Sequence, residues 1–400
     1  MFELALHHLR YNKVLSTILI LCMTIAIFLP LSTFITARML DREMLARSNT
    51  TPLLIGSKGS PFLLTLNAIY FKTGIEDQID AGTLRTFRQR CEGQVIPLHL
   101  GHSAKGFPVV GTTFDYFAFR GLRTASGRLP TLLGEAVVGW DVAHRLRLKP
   151  GSGLITDLEN IYDISAEYPL KLKITGVLEQ TGTPDDRAVF TDVKSAWVMD
   201  GIGHGHEDIF TSPDAIEDDS VLFIEASEVV YNSRLAKYTE ITRENIDSFH
   251  FHGDESAFPL SALIIAAASD KERVLVKCET NLPTRSAELE AGSTELLQAV
   301  EPSEIIFEIL ALIFDIKRIL DGFSGLVILS TAAFLFLVLS LLFRLRHDEM
   351  QIIYKIGGSR HAMEMLLGIE TLILLAVSFI LAAGLSFLLV AGARSFFLSG

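Results

Sequence analysis

Cysteine is scarce in this 400-residue chain, which holds only Cys22, Cys91 and Cys278. No Cys-x-x-Cys pair occurs, so a thiolate zinc site built on that spacing is excluded. Cys22 lies in an apolar run, which leaves Cys91 and Cys278 as a conceivable disulfide, although no spacing argues for it. A G-x-x-x-x-G-K-[ST] phosphate loop is missing too, so the chain is expected not to be an enzyme that hydrolyses ATP. Gly201-Ile202-Gly203-His204-Gly205-His206 is no dinucleotide fingerprint, because no strand-to-helix turn frames it. Serine and histidine are too scattered for a catalytic triad. Excess positive charge is also absent. The formal net charge is −12, and residues 37–322 alone hold 42 acidic against 28 basic side chains, or −14. A nucleic-acid binder needs a basic surface, so that class is excluded.

Charge is lacking altogether in residues 14–35, 323–343 and 371–393. Each run, coiled as a helix, reaches roughly 30 Å, the thickness of a bilayer hydrocarbon core. With 49% hydrophobic residues and a mean hydropathy of +0.36, the composition is that of a membrane protein. The first run is longer than a signal-peptide core and is followed by Thr36-Ala37-Arg38-Met39 rather than a small-x-small cleavage site, so it reads as a retained anchor. Pro30 is expected to kink it. Phe2, Leu6, Leu9 and Val14 suit a short amphipathic helix on the membrane surface. Arg10 and Lys13, with Arg344, Arg346, Lys355 and Arg360, bias the N-terminus and the 344–361 connector to the cytoplasm and leave the acidic block outside. Arg38, Arg42, Arg47, Lys317 and Arg318 pull the other way.

The expected fold is therefore an α-helical membrane protein with about three transmembrane helices and a large α+β extracytoplasmic domain between the first and second. The segments are 1–36 (amphipathic segment and first span), 37–303 (outer domain), 304–322 (stalk), 323–343 (second span), 344–361 (connector), 362–393 (third span) and 394–400 (tail). Strands are expected at 108–112, 135–138, 170–178, 188–191, 221–224, 261–267 and 273–277, and helices at 140–148 and 193–199. Residues 212–220 read as an acidic surface loop. Ile306, Ile309, Ile313, Ile316 and Leu320 step by three and four, a stripe for stalk packing of about two heptads, against the domain or across a dimer.

The connector carries its own pattern. Met350, Ile352, Ile353 and Ile356 repeat at helical spacing, Gly357 and Gly358 stop the helix, and Ser359 suits the N-cap of the next. The run E-M-x-I-I-Y-K-I-G-G-S-R resembles the cytoplasmic coupling segment of the MacB/FtsX-like ABC transporter permeases. V-V-G-T-T-F-D-Y-F at 109–117, G-L-R-T-A-S-G-R at 121–128, G-E-A-V-V-G-W-D-V-A-H-R-L-R-L-K-P-G at 134–151, I-T-G-V-L at 174–178 and T-G-T-P-D-D-R-A-V-F at 181–190 resemble the family's MacB-type outer domain. The resemblance implies that Glu349, Ile352, Ile353, Lys355, Ile356, Gly357, Gly358, Ser359 and Arg360 contact a separate ATP-binding subunit. It further implies that ATP and magnesium belong to that partner, that a second permease copy completes a homodimer, and that the protein is multi-pass in a prokaryotic inner membrane. The family has four membrane helices. Only 394–400 follow the third run here, so the chain is either a shortened relative or a truncated one.

Two groups of side chains offer other chemistry. His204, His206 and Glu207, with His250 and His252, combine imidazole and carboxylate in a way that suits zinc, and in a strand His250 and His252 share a face. The competing reading is a solvated loop beside a sheet face with two exposed histidines. Glu364 and Glu370 lie near the start of the third span, where interface anchoring explains them better than a proton relay. The leading expectation is an ABC permease subunit that couples ATP hydrolysis elsewhere to movement of the outer domain. The alternative is a membrane-anchored receptor or divalent-metal-binding module.

Overall fold

The computed structural model describes residues 2–11, 13–72, 78–157, 169–205, 221–225, 228–231, 239–282, 297–345 and 360–397. It divides into two compact units, one of Met1–Met44 with Phe307–Gly400, the other of Leu45–Ile306.

The first unit is helical: α1 (Phe2–Tyr11), most of α2 (Lys13–Asn49), and the greater parts of helices Pro302–Leu345 and Arg360–Phe397. Among the described residues two stretches are long and apolar enough to cross a membrane, Ser16–Met39 and Gly368–Leu389. The expected span at 323–343 is helical throughout, inside Pro302–Leu345. Helix α2 runs through Pro30 without interruption, and the Thr33 hydroxyl donates to the Leu29 and Pro30 carbonyls there. Leu19, Met23 and Leu374 are buried together, whereas Ile380, Phe387 and Leu388 stay exposed.

The second unit is built on one mixed sheet. Its strands are β1 (Leu53–Ser57), β3 (Gln94–Ala104), β4 (Phe107–Thr112), β5 (Thr124–Gly127), β6 (Glu135–Val138), β7 (Gly153–Ile155), β8 (Lys171–Leu178), β9 (Val189–Asp192), β15 (Ala262–Ala266) and β16 (Leu297–Val300). They lie in the order β16-β1-β15-β3-β4-β9-β6-β8-β5, with β7 also on β8. Among the strands described in this sheet, β4–β9 and β6–β8 pair in parallel and the other pairs are antiparallel. Short antiparallel pairs join β2 (Ile79–Asp80) to β14 (Pro259–Leu260), β10 (Gly203–Gly205) to β13 (Phe249–Phe251), and β11 (Val221–Glu225) to β12 (Glu228–Tyr231).

Register explains why β1 and β15 are continuous apolar runs. Leu54, Ile264 and Ile96 are cross-strand neighbours, and they pack with Leu64 and Ile69 of helix α3 (Pro61–Tyr70). Leu53, Ile265 and Val95 are neighbours on the opposite face, packed with Phe87 of α4 (Ala81–Arg90). A strand covered on both faces buries every side chain and loses the apolar–polar alternation. Each such leucine or isoleucine contributes about 1.5–3 kcal/mol on burial. Helices α5 (Phe114–Arg120), α6 (Trp140–Leu146), α7 (Val193–Met199) and α8 (Asp270–Asn281) complete the layers.

One expectation is corrected and one open question is answered. Residues 273–277 lie in α8, not in a strand. Ser269 caps that helix by accepting from the Glu272 N–H, and Val274 and Leu275 are half exposed, so the β-prone run V-L-V marks no buried strand. Cys91 and Cys278 carry free thiols, the first buried and the second exposed. Burial, with the nearby Glu272 charge, pushes the Cys91 thiol up to about 11.

The end of α2 is fixed inside the second unit by a buried ion pair. Arg47 Nη1 lies 2.5 Å from Asp185 Oδ2, and Nη2 donates to Asp185 Oδ1 at 2.8 Å and to the Tyr116 hydroxyl at 2.8 Å. Tyr116 in turn donates to Asp185 Oδ1 at 2.7 Å. Arg47, Tyr116 and Asp185 are 6%, 0% and 1% exposed, so the whole group is out of water. The Thr50 and Thr51 hydroxyls donate back to the Arg47 carbonyl, and Pro52 ends the helix by lacking an N–H. Burial by itself would raise the Asp185 pKa. The Arg47 charge and the hydrogen bonds from Arg47 and Tyr116 outweigh it, so the carboxyl titrates below its ordinary value.

Because the folded pKa of Asp185 is depressed, its contribution to stability is present above its unfolded value, about 3.9, and is lost as pH falls through the folded one. Asp185→Asn leaves the Arg47 charge buried without its partner and should cost about 3–5 kcal/mol. Thermal melts of the detergent-solubilised chain followed by circular dichroism check this. A variant within about 1 kcal/mol of wild type at pH 7 would show that the pair does not hold the helix end.

Candidate functional site

Strands β10 and β13 read G-H-G and F-H-F, and they pair with Gly203 opposite Phe251, His204 opposite His250, and Gly205 opposite Phe249. The glycines make room for the phenylalanine rings. A Cβ at Gly203 would sit 2.5 Å from the Phe251 ring, and one at Gly205 would sit 2.6 Å from Phe249. Phe249 and Phe251 pack against the core, so the alternating histidines point to the other side. There His204, His250 and His252 come together. Ring centroids are 4.8 Å apart for His204 and His250, 4.9 Å for His204 and His252, and 4.7 Å for His250 and His252. One nitrogen from each ring lies within 4.8 Å of the others. His250 Nδ1 lies 3.1 Å from the Ser248 carbonyl oxygen, which only accepts, so in the neutral ring Nδ1 carries the proton and Nε2 the lone pair. Three converging imidazoles with an edge open to solvent are a nitrogen donor set for a zinc-like ion.

This brings together His204, His250 and His252 out of the five residues expected from sequence. His206 and Glu207 lie outside the described residues. The stretch around His204 forms a strand rather than a flexible segment. Its sequence has no strand propensity of its own, and pairing with β13 supplies the order.

A second cluster escaped the sequence reading. His99 and His102 both lie in β3, three positions apart, where regular alternation sends them to opposite faces. The pairing of β3 with β4 slips between them: His99 opposes Gly111 and His102 opposes Val109, so three steps on one strand match two on the other. That bulge, with Gly101 at φ +131°, turns both rings to one side, centroids 5.8 Å apart. Asp200, the C-cap of α7, meets them. Its Oδ1 lies 2.7 Å from His102 Nε2 and its Oδ2 lies 2.9 Å from His99 Nε2. Burial works to raise the Asp200 pKa, but the hydrogen bond from His102 and the nearness of both imidazoles override it and hold the carboxyl well below the usual range. The one signal in the sequence was a glycine inside a strand between two histidines, since such a glycine marks a bulge.

The coupling residues Glu349, Ile352, Ile353, Lys355, Ile356, Gly357, Gly358 and Ser359 lie outside the described residues, as does the 212–220 loop. Arg360 opens the helix that runs to Phe397. Of the stalk stripe, Ile306 is fully buried, Ile309 and Ile313 are half-buried, and Ile316 and Leu320 are 52% and 44% exposed.

No protein-family model matches the chain, and no curated protein matches it. Solved structures do. The periplasmic region of MacB from Actinobacillus actinomycetemcomitans is 9% identical, covers 66% of this chain and 97% of its own, and superposes with a TM-score of 0.37. The extracellular domain of the noncanonic ABC-type transporter YknZ from Gram-positive bacteria is 10% identical, covers 62% of this chain and 99% of its own, with a TM-score of 0.34. Both are outer domains of the kind that the sequence motifs resemble. Identities of 9–10% and TM-scores of 0.34–0.37 leave the function to be argued from this chain's own residues.

Proposed function

We propose that the chain is the membrane-spanning subunit of an ABC-type transporter, driven by a separate cytoplasmic ATP-binding subunit that holds the ATP and magnesium. The observation that supports this most is the layout. A unit of Leu45–Ile306 is inserted between helices of which one, α2, contains the apolar stretch Ser16–Met39. Ile380, Phe387 and Leu388 remain exposed on a helix apolar all round, which suits lipid rather than water. The polar 344–361 connector between two apolar runs supplies the docking element that the motif resemblance implies. In this reading the partner's ATP-driven closure pushes the 349–360 segment, the helices carry the displacement outward, and the Arg47–Asp185 pair passes it to the outer domain. Two copies in a prokaryotic inner membrane complete the transporter.

A second reading, a divalent-metal-capturing module on the same anchor, is favoured by the convergence of His204, His250 and His252. Zinc titration of the chelator-treated chain should give a site that His250→Ala weakens at least about tenfold, more than loss of a mere outer-shell partner. Unchanged affinity in His250→Ala removes this reading.

Topology is tested in a chain whose Cys22, Cys91 and Cys278 are replaced by serine. A membrane-impermeant thiol reagent added to intact cells should label Asp218→Cys and spare Gln351→Cys; equal labelling overturns the orientation. Coupling is tested by Ile353→Asp, which puts a carboxylate into the apolar face of the connector without touching a span. An unpaired charge in an interface core costs several kcal/mol, enough to take a micromolar association out of reach. The cognate ATPase should no longer co-purify with Ile353→Asp, while Asp348→Ala retains it. Wild-type association of Ile353→Asp reduces the connector to a linker.

A further inference from the structure

We infer that His99, His102 and Asp200 form a divalent-cation site of zinc type in the outer domain, separate from the His204 cluster and independent of the transport reading. Three features of the geometry carry this. The first is construction. A bulge in β3 is spent on turning two histidines to the same side, and the C-cap residue of α7 closes the third corner. The α7 backbone fixes that corner, because the Asp200 N–H bonds to the Ala196 carbonyl at 3.0 Å. One ligand atom from each of the three residues lies within 4.8 Å of the others.

The second feature is what hydrogen bonding leaves undone. His99 is 1% exposed, yet among the described residues neither of its ring nitrogens finds a hydrogen-bond partner, and Asp200 Oδ2 finds none either. The two atoms are 2.9 Å apart but out of line with the ring's N–H direction. Each such atom has lost its water without gaining a partner in return. A cation between them would satisfy both atoms at once: tetrahedral donors about 2.0–2.1 Å from zinc are themselves about 3.3–3.4 Å apart, so this pair has to open by only about half an ångström to take the ion. His102 Nε2, 2.7 Å from Oδ1, completes a nitrogen–nitrogen–oxygen set.

The third feature is charge and access. Two neutral imidazoles and one carboxylate sum to −1, which leaves a divalent ion with a net positive charge and room for a fourth ligand. Imidazole donors select zinc and its transition-metal neighbours over calcium and magnesium, which want oxygen. His102 and Asp200 are 9% and 19% exposed, so the rim is open while His99 forms the floor. Asp200 and His204 are four residues apart, so their Cα atoms are at most about 15 Å from each other. The two clusters are separable by mutation.

The test uses the full-length chain in detergent, stripped with chelator, in a His204→Ala/His250→Ala/His252→Ala background. Zinc titration by calorimetry and cobalt absorption should each report one equivalent, with a rise in melting temperature on zinc addition. Asp200→Asn, which can still accept the His102 hydrogen bond through its amide oxygen, should weaken zinc at least about tenfold and abolish the thermal shift. His102→Gln, at the open rim, should do the same and serves where Asp200→Asn does not fold. No zinc bound by the folded background chain overturns the site, as does equal affinity in the background and either variant, which would mean a purely hydrogen-bonded cluster.

Discussion

The way the end of α2 is held in the second unit depends on one buried charge, that of Arg47. A guanidinium without water must have its hydrogen bonds made by the protein, and it must face a fixed anion. Asp185 supplies both oxygens and Tyr116 a third acceptor to the two Nη groups, while Nε finds no hydrogen-bond partner among the described residues. Asp185 is held on a turn whose geometry is set by its neighbours: the Thr183 hydroxyl accepts from the Asp185 N–H, and Asp186 accepts from the N–H groups of Thr181 and Gly182. Thus the run T-G-T-P-D-D-R is explained nearly residue by residue as a device for presenting one carboxylate to one helix end. Burial also raises Tyr116 to about 12, which keeps its hydroxyl a donor across the physiological range.

The same economy governs the sheet. Leu54, Ile264 and Ile96 face α3, and Leu53, Ile265 and Val95 face α4, so the strand core is sandwiched and cannot slip by one residue without exchanging its two faces. Arg47 and Tyr116 belong to the side of α5, where Tyr116 and Phe117 pack on Phe190. His99 belongs to the side of α7. A Cβ placed on Gly111 would meet Ala196 at 2.7 Å and His99 at 3.2 Å. The helix clamp and the second histidine cluster therefore occupy opposite faces of one rigid layer.

How much of this was legible in the sequence follows from where order originates. The apolar runs could be read because a bilayer-length stretch without charge has few other uses. Strands such as 135–138 and 262–266 could be read because β-branched residues cluster in them. The pairing of His250 with His252 followed from the period of two. What could not be read depended on partners distant in sequence. Residues 273–277 are a local exception: Val274, Leu275 and Val276 form a β-prone run, but Ser269 and Glu272, three residues apart, carry the capping pattern that opens a helix. Strand β10 exists because β13 offers phenylalanines over its glycines. His99 and His102 obey the bulge, and a bulge is a property of two strands. Arg47 and Asp185 are 138 residues apart, so nothing local announces their pairing.

The arrangement of faces constrains any link between ion binding and movement. An ion held by His99, His102 and Asp200 would tie β3 to the end of α7, and α7 continues directly into β10 and the His204 cluster. Under the proposed transport reading, movement passed to Arg47 would reach the other face, that of α5 and the 184–187 turn. The sheet between them is close-packed, and close-packed layers pass displacement on as rigid bodies rather than bending. Ion occupancy can then bias the outer domain only if the β3 bulge itself has two registers. Such coupling would appear as equal and reciprocal changes in affinity at the two sites. If β3 has one register, the ion is a rivet and the Arg47 clamp works the same with or without it.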